Sequence, residues 1–434
     1  MQTTDSQAQG GTRAGNLLAW RIAASITLGA MAGYAHASAF QLAEQNASGL
    51  ANSYAGSAAI AEDASTIFSN PAGMTRLPGF NASAGVTAIS TTFKFADGGS
   101  SGPGGLPLGS HTGGNAGSVN AVPNAYFSWQ ISPEWFIGLG ASSPFGLSTK
   151  YDQNWIGRYQ STEFSIQTIN INPSVAYKVN DRLSIGAGLN WQQLDATYQR
   201  KIPAVVMPAD MNAKAKLSGD AWGWNLGLLY QLTHDTRIGA SYRSAMHFSS
   251  SGTTTLGDIP GPLTGRLPSS VDNSSSFTLP DTATLSIVHD LNSKWQLLGD
   301  VSWTGWSHLP SLDINNGALG QDHLTLNFRD SWRVAMGVNY QYSPGWKFKA
   351  GMSYDQSPIP SDAVRPTSLP DNDRISGSIG AQYRFSTRTT VDVGYSHLFF
   401  HPSINNSTDP KKGTVIGNWQ TSADLLGVQI SYRY

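Results

Sequence analysis

Residues 222–230 read Trp222-Gly223-Trp224-Asn225-Leu226-Gly227-Leu228-Leu229-Tyr230. Successive side chains of an extended chain point to opposite faces. One face therefore carries Trp222, Trp224, Leu226, Leu228 and Tyr230, and the other Gly223, Asn225, Gly227 and Leu229. Aromatic residues bracket the apolar stripe, as in a strand that crosses a bilayer between its two interfaces. A water-soluble sandwich also alternates, but it rarely puts Trp and Tyr at both ends of the stripe. The segment from Trp346 to Tyr354 repeats the pattern with Lys347 and Lys349 on its polar face. The C-terminal segment sets Leu426, Val428, Ile430, Tyr432 and Tyr434 against Gly427, Gln429, Ser431 and Arg433.

Working outward, the alternation marks about fourteen strands, an even number that suits a bacterial barrel. They lie near 79–95, 120–132, 134–147, 162–178, 182–199, 219–232, 236–250, 274–289, 295–307, 324–342, 346–357, 373–385, 389–401 and 419–434. Short connections with turn chemistry, such as Asn180-Asp181 and Ser343-Pro344-Gly345, alternate with long ones at 96–119, 200–218, 251–273, 308–323 and 402–418. The expected fold class is all-β: a 14-stranded antiparallel transmembrane β-barrel.

Composition excludes other classes. Charged residues make 13% of the 434 residues, about half the usual share. The net charge of −1 offers no basic excess for nucleic acid. With no Cys, disulfides, thiol catalysis and Cys-based metal sites are excluded. After residue 37 no run reaches 18 apolar residues, so the chain is not a helical membrane protein. The mean hydropathy of −0.24 looks soluble, but barrels average the same way because their two faces alternate.

The N-terminus reads as an address. Arg13 and Arg21 precede the short apolar run from Ile22 to Gly33, and Ala35-His36-Ala37 has the small-x-small form of a cleavage site. Residues 1–37 are thus expected to be a signal peptide, with a possible N-terminal extension. Residues 38–78 do not alternate. They are rich in Ala, Ser and Gly, with a helical turn expected over Ile60 to Ile67. The segment is either a periplasmic tail or a plug in the lumen, and its small apolar residues favour the plug. Residues 79–434 form the barrel.

Ser38-Ala39-Phe40 to Gly56, followed by Ala61-Glu62-Asp63 to Asn70-Pro71-Ala72-Gly73-Met74, closely resembles the N-terminal hatch of the FadL-type outer-membrane long-chain fatty acid transporters. The resemblance returns at Trp222-Gly223-Trp224, Phe328-Arg329-Asp330, Leu369-Pro370-Asp371 and Asp373-Arg374, and it covers essentially the whole mature chain. It implies a fourteen-stranded barrel closed by its hatch, in agreement with the strand count.

Each buried CH₂ is worth ~0.8 kcal/mol, so a long acyl chain prefers apolar surfaces to water by roughly 10 kcal/mol. A dry pocket with a cationic end therefore suits a passive route. The loop after Arg200 carries Val205, Val206, Met207 and Met211, an apolar set that forms either an outer capture groove or a packed loop; the family places a low-affinity site there. Arg200, expected to end the fifth strand, and Arg329, expected in the tenth, align with positions where the resembled family places a basic lumen residue near the ligand head group. Arg suits a carboxylate because its planar fork donates two parallel hydrogen bonds; an ion pair is the alternative, for instance Arg329 with Asp330 or a hatch carboxylate. Phe40 aligns with the hatch residue that closes the inner end of the pocket. The resemblance implies an inward kink of the third strand at Pro144, Phe145 and Gly146 that opens the wall laterally; from the residues alone Pro144 equally marks the strand's end. Asn70, Pro71 and Ala72 are expected near that kink.

No metal or cofactor is expected, and no H-E-x-x-H, G-x-S-x-G or phosphate loop is present. The expected function is passive uptake of long-chain fatty acids; the alternative is uptake of small hydrophobic compounds such as aromatic hydrocarbons. The expected partners are that ligand, outer-membrane lipid and lipopolysaccharide, and the barrel-assembly machinery. The last would read an aromatic end-signal such as Tyr434. A monomer is expected.

Overall fold

The computed structural model describes residues 39–203 and 210–434. The leader expected over 1–37 and the residues Val205, Val206 and Met207 lie outside the described residues. The strand segments form one antiparallel sheet, and its last member, Gly413–Arg433, pairs with its first, Phe80–Asp97. Where two segments are halves of one interrupted strand they count once, and the wall is a closed barrel of fourteen strands.

In chain order the strands are Phe80–Asp97, Val119–Gln130, Trp135–Ser142 with Gly146–Lys150, Glu163–Lys178, Leu183–Ile202, Met211–Gln231 and Thr236–Arg243 with Met246–Gly257. There follow Ser270–Leu279 with Thr282–Asp290, Trp295–Thr304, Ser331–Gln341, Trp346–Asp355, Arg374–Arg384, Thr389–Phe400 and Gly413–Arg433. The alternation works as expected. Trp222, Trp224, Leu226 and Leu228 face outward and are exposed, while Asn225 and Leu229 face inward and are buried. Turns at 131–134, 179–182, 232–235, 291–294, 342–345 and 385–388 gather at the end where Tyr434 N–H donates to Phe80 O, 2.8 Å. Cross-strand pairs girdle that end: Trp135 on Tyr177 and Trp346 on Tyr383, each 4.7 Å between centroids, and Trp295 on Tyr340 at 4.4 Å.

Several boundaries differ from the sequence reading. The sixth strand starts at Met211, not near 219, so Met211 is a strand residue and the connection before it is short. The tenth strand is interrupted: Gln321–Thr325 belongs to an outer hairpin, and the strand proper starts at Ser331. Asn327 takes φ 47°, a left-handed conformation that Asn tolerates, and this breaks the run. The helical turn expected over Ile60 to Ile67 is instead two short helices, Ser57–Ile60 and Thr66–Ser69, separated where Ala61 takes φ 47°.

Residues ahead of the first strand lie against the inner wall on opposite sides. Helix Ala47–Leu50 touches the last three strands, Ser57–Ile60 the seventh and eighth, and the 3-10 turn Pro71–Arg76 the fourth to sixth. Inward-facing glycines allow this close approach: a Cβ at Gly227 would collide with Asn70, and one at Gly239 with the Ala58 carbonyl.

Candidate functional site: the kinked strand, the N-terminal segment and the lumen pocket

The third strand is bulged at the predicted place. Ser142 pairs with Asn170, and Gly146 with Gln167, so three residues, 143–145, stand opposite two. Pro144 has no N–H to give. Thr168 satisfies the neighbouring Phe145: its hydroxyl accepts from Phe145 N at 3.0 Å and donates to Phe145 O at 2.7 Å. The second strand pairs with the third only from Ala125 to Gln130, and its stretch from Val119 to Asn124 pairs on the other side alone. Pro123 sits on that open edge. A cavity of about 490 Å³ lies at the gap, lined by Val119 and Pro123 on one side and by Phe145, Gly146 and Ile169 on the other.

The N-terminal segment fills the kink from inside. Leu42 N–H donates to Pro144 O at 2.8 Å, Gly146 N–H to Phe40 O at 2.9 Å, and Gln45 Nε2 to Ser143 O at 3.0 Å. The Phe40 ring meets Trp306 edge-on at 4.9 Å and Phe145 at 6.0 Å, and Trp306 meets Phe328 at 5.7 Å. Trp306 is fully buried.

Above this aromatic group an apolar column continues through Phe164, Phe277, Leu309, Leu326 and Leu369. Only about 20 Å³ stays open there. The column reaches Tyr198 and Ile314, which also line an outer cavity of about 190 Å³. Arg200 and Met211 line that outer cavity together. Arg200 Nε lies 2.6 Å from Asp322 Oδ2, and Lys412 Nζ lies 2.7 Å from Asp322 Oδ1. Two cations thus share one carboxylate at the mouth.

Arg200 and Arg329 do not meet. Arg329 lies in the break ahead of the tenth strand, not within it. Its backbone N–H donates to Pro358 O at 2.9 Å, while its Nε and Nη2 are buried without a hydrogen-bond partner among the described residues. Asp330 instead accepts from Ser307 N–H at 3.0 Å.

The structure seats Asn70, Pro71 and Ala72 against the fifth and sixth strands rather than at the kink. Asn70 Nδ2 donates to Leu228 O at 2.9 Å and to Ala58 O at 2.6 Å, and its Oδ1 caps Ala72 N–H at 3.0 Å. Glu62 binds the eleventh strand, with Lys347 Nζ at 2.7 Å from one oxygen and Lys349 Nζ at 2.8 Å from the other. Asp63 accepts from Gln429 Nε2 at 2.9 Å.

Sequence reasoning missed Trp306, which it placed at the end of the ninth strand. That strand stops at Thr304, and a 3-10 turn brings the indole inward. It noted Lys347 and Lys349 but not their partner. Their place on an inward polar face was the available signal, since buried lysines are almost always paired.

Residues 28–434 match the family described as outer membrane protein transport protein (OMPP1/FadL/TodX). The chain is 31% identical to a long-chain fatty acid transport protein of Escherichia coli O6:H1, covering 83% of this chain and 86% of that one. It is 31% identical to a 47 kDa outer membrane protein of Pasteurella multocida, covering 94% and 96%. Among solved structures it is similar to a Pseudomonas aeruginosa FadL homologue, with a TM-score of 0.84 at 25% identity over 91% of this chain and 99% of that one. The toluene transporter TbuX of Ralstonia pickettii shares the fold, with a TM-score of 0.68 at 19% identity over 90% and 98%. The chain belongs to the OMPP1/FadL/TodX family of outer-membrane transport proteins.

Proposed function

We propose that this barrel takes up long-chain fatty acids passively. Capture occurs at the outer cavity beside Arg200 and Met211, with Val205, Val206 and Met207 completing an apolar groove. The acyl chain then parts the column above Phe40, Trp306 and Phe328, and Arg329 takes the head group. Residues 39–45, the moving part of a hatch over 38–78 that includes Glu62, Asp63, Asn70, Pro71 and Ala72, release Pro144, Phe145 and Gly146. The ligand leaves sideways between the second and third strands. The observation that carries this reading is the backbone bridge from Phe40 and Leu42 to the bulge: one segment both floors the pocket and fills the lateral gap. The protein acts as a monomer surrounded by lipid and lipopolysaccharide, inserted by the barrel-assembly machinery through its Tyr434 end.

The test is uptake of labelled oleate and labelled toluene by cells lacking their own transporter. Oleate uptake that falls in Arg200→Ala/Arg329→Ala supports the reading. A second reading, uptake of aromatic hydrocarbons, draws on the uncharged lining of the inner pocket. Toluene uptake indifferent to both arginines, with no oleate uptake, would favour it.

A further inference from the structure

The lateral cavity has a cation that the route above does not use. Its lining is mostly apolar, with Leu147, Ile166, Leu398 and Phe400 among the wall residues, and its charged side chains are Glu44, Asp371 and Arg374. Neither Arg200 nor Arg329 lines it. We propose that Arg374 is the last head-group site of the route: it receives the carboxylate of a fatty acid whose tail already points through the gap, in a cavity whose lining also carries Glu44. This inference rests on the fatty-acid reading.

Three observations support it. The first is the state of the guanidinium. Arg374 is largely buried, and its Nε has no hydrogen-bond partner among the described residues. Asp355 Oδ2 stands 3.5 Å away, and Asp355 is shared with Arg333 at 3.3 Å. A guanidinium whose Nε has only this long contact, set in a mostly apolar cavity, has room for a second carboxylate.

The second is position. Arg374, Gln41 and Leu42 also line a separate cavity of about 180 Å³ between the lumen segment and the wall. The N-terminal segment is the partition between the two spaces. Glu44, which lines the same cavity as Arg374, sits on the segment that bridges Pro144 and Gly146, so an anion bound at Arg374 meets that segment where the wall opens.

The third is that the resident carboxylates compete weakly. Burial raises the Glu44 carboxyl above its ordinary value, opposed by Arg374. Burial also pushes Asp371 up to about 6, against the pull of Arg374. Burial thus disfavours the charged form of both resident acids beside the guanidinium.

The experiment compares uptake of oleate and of methyl oleate, which has the same tail and no charge. Arg374→Gln is expected to cut oleate uptake about tenfold and leave methyl oleate within about twofold, with Arg374→Lys restoring part of the loss. Glu44→Gln is expected to raise oleate uptake by about two- to threefold, because a carboxyl no longer lines the cavity that the ligand's carboxylate enters. The heat-dependent gel shift of the barrel reports folding. Unchanged oleate uptake in Arg374→Gln, or equal loss of oleate and methyl oleate, overturns the proposal. If Arg374→Gln does not fold, an unchanged oleate-to-methyl-oleate ratio in both Arg374→Lys and Glu44→Gln overturns it instead. A wild type that takes up no oleate overturns the fatty-acid reading itself, and this inference with it.

Discussion

The lumen segment is held in two different ways along its length. Residues 47–76 are fixed by charge. Glu62 is clasped by Lys347 and Lys349, and Lys349, whose side chain is fully buried, also stands 3.2 Å from Asp392. Arg333 donates to Ser53 O, Arg237 to Ala59 O and Ile60 O, and Gln429 accepts from Ala47 N–H. Residues 39–45 are held by backbone hydrogen bonds to the bulge, by the side-chain amides of Gln41 and Gln45, and by aromatic contacts around Phe40. Removing one partner of a buried ion pair strands the other charge, at several kcal/mol. A backbone hydrogen bond given back to water costs a net of only about 1 kcal/mol. The difference accords with the proposal that the N-terminal segment moves while the rest anchors it.

The largest effect that would break this comparison is at the anchor. Lys349→Met leaves Glu62 and Asp392 facing each other without their shared cation, so a loss of about 3–5 kcal/mol is expected. A thermal unfolding midpoint equal to wild type would show that the clasp does not anchor. Next is the wall beneath. Gly227→Val drives a side chain into Asn70, and overpacking of this kind costs about 1–3 kcal/mol. The same measurement should show a smaller drop than for Lys349→Met.

At the kink, Pro144→Val with Gly146→Val restores a ladder donor and sets a side chain against Leu42. Oleate uptake should fall roughly tenfold, about 1.4 kcal/mol of barrier, with little change in unfolding. Full uptake in that double variant would argue against a lateral exit. Val206→Asp with Met207→Asp should reduce uptake by a few-fold at low oleate only, since desolvation of the acyl chain at capture is what it removes. Equal uptake at all concentrations would retire the outer groove.

The smallest effect is the pH response of the anchor. Burial raises the Glu62 carboxyl, but Lys347 and Lys349 outweigh it and hold it below the ordinary carboxylate range. A depressed folded-state pKa stabilises fully above the unfolded value near 4.5 and loses that contribution as pH falls. Stability should therefore be flat from pH 7 to 5 and decline below, and Glu62→Gln should flatten the acid limb. An unchanged limb in that variant would place the acid sensitivity elsewhere.

Much of the wall was legible from residue order. Trp222 to Tyr230 announced which side chains face lipid, because strand parity is local and needs no partner. The bulge at Pro144 was readable for a similar reason, since proline lacks a donor wherever it sits. The tenth strand was misjudged because a left-handed Asn327 leaves no mark in hydropathy. Met211 was read as loop because the outer ends of strands stand above the bilayer, where apolar alternation fades into Lys214 and Lys216.

By itself the sequence determined the barrel, its strand count and the sidedness of each strand, since these follow from a two-residue period and turn chemistry. Only the tertiary structure decided the partners. Arg200 finds Asp322 across 122 positions, and Lys349 finds Glu62 across 287. It also decided that the unpaired edge of the bulge is filled by Phe40 and Leu42. Such pairings arise because closing the barrel brings distant inward faces around one narrow lumen, and no periodicity along the chain encodes which of them will meet.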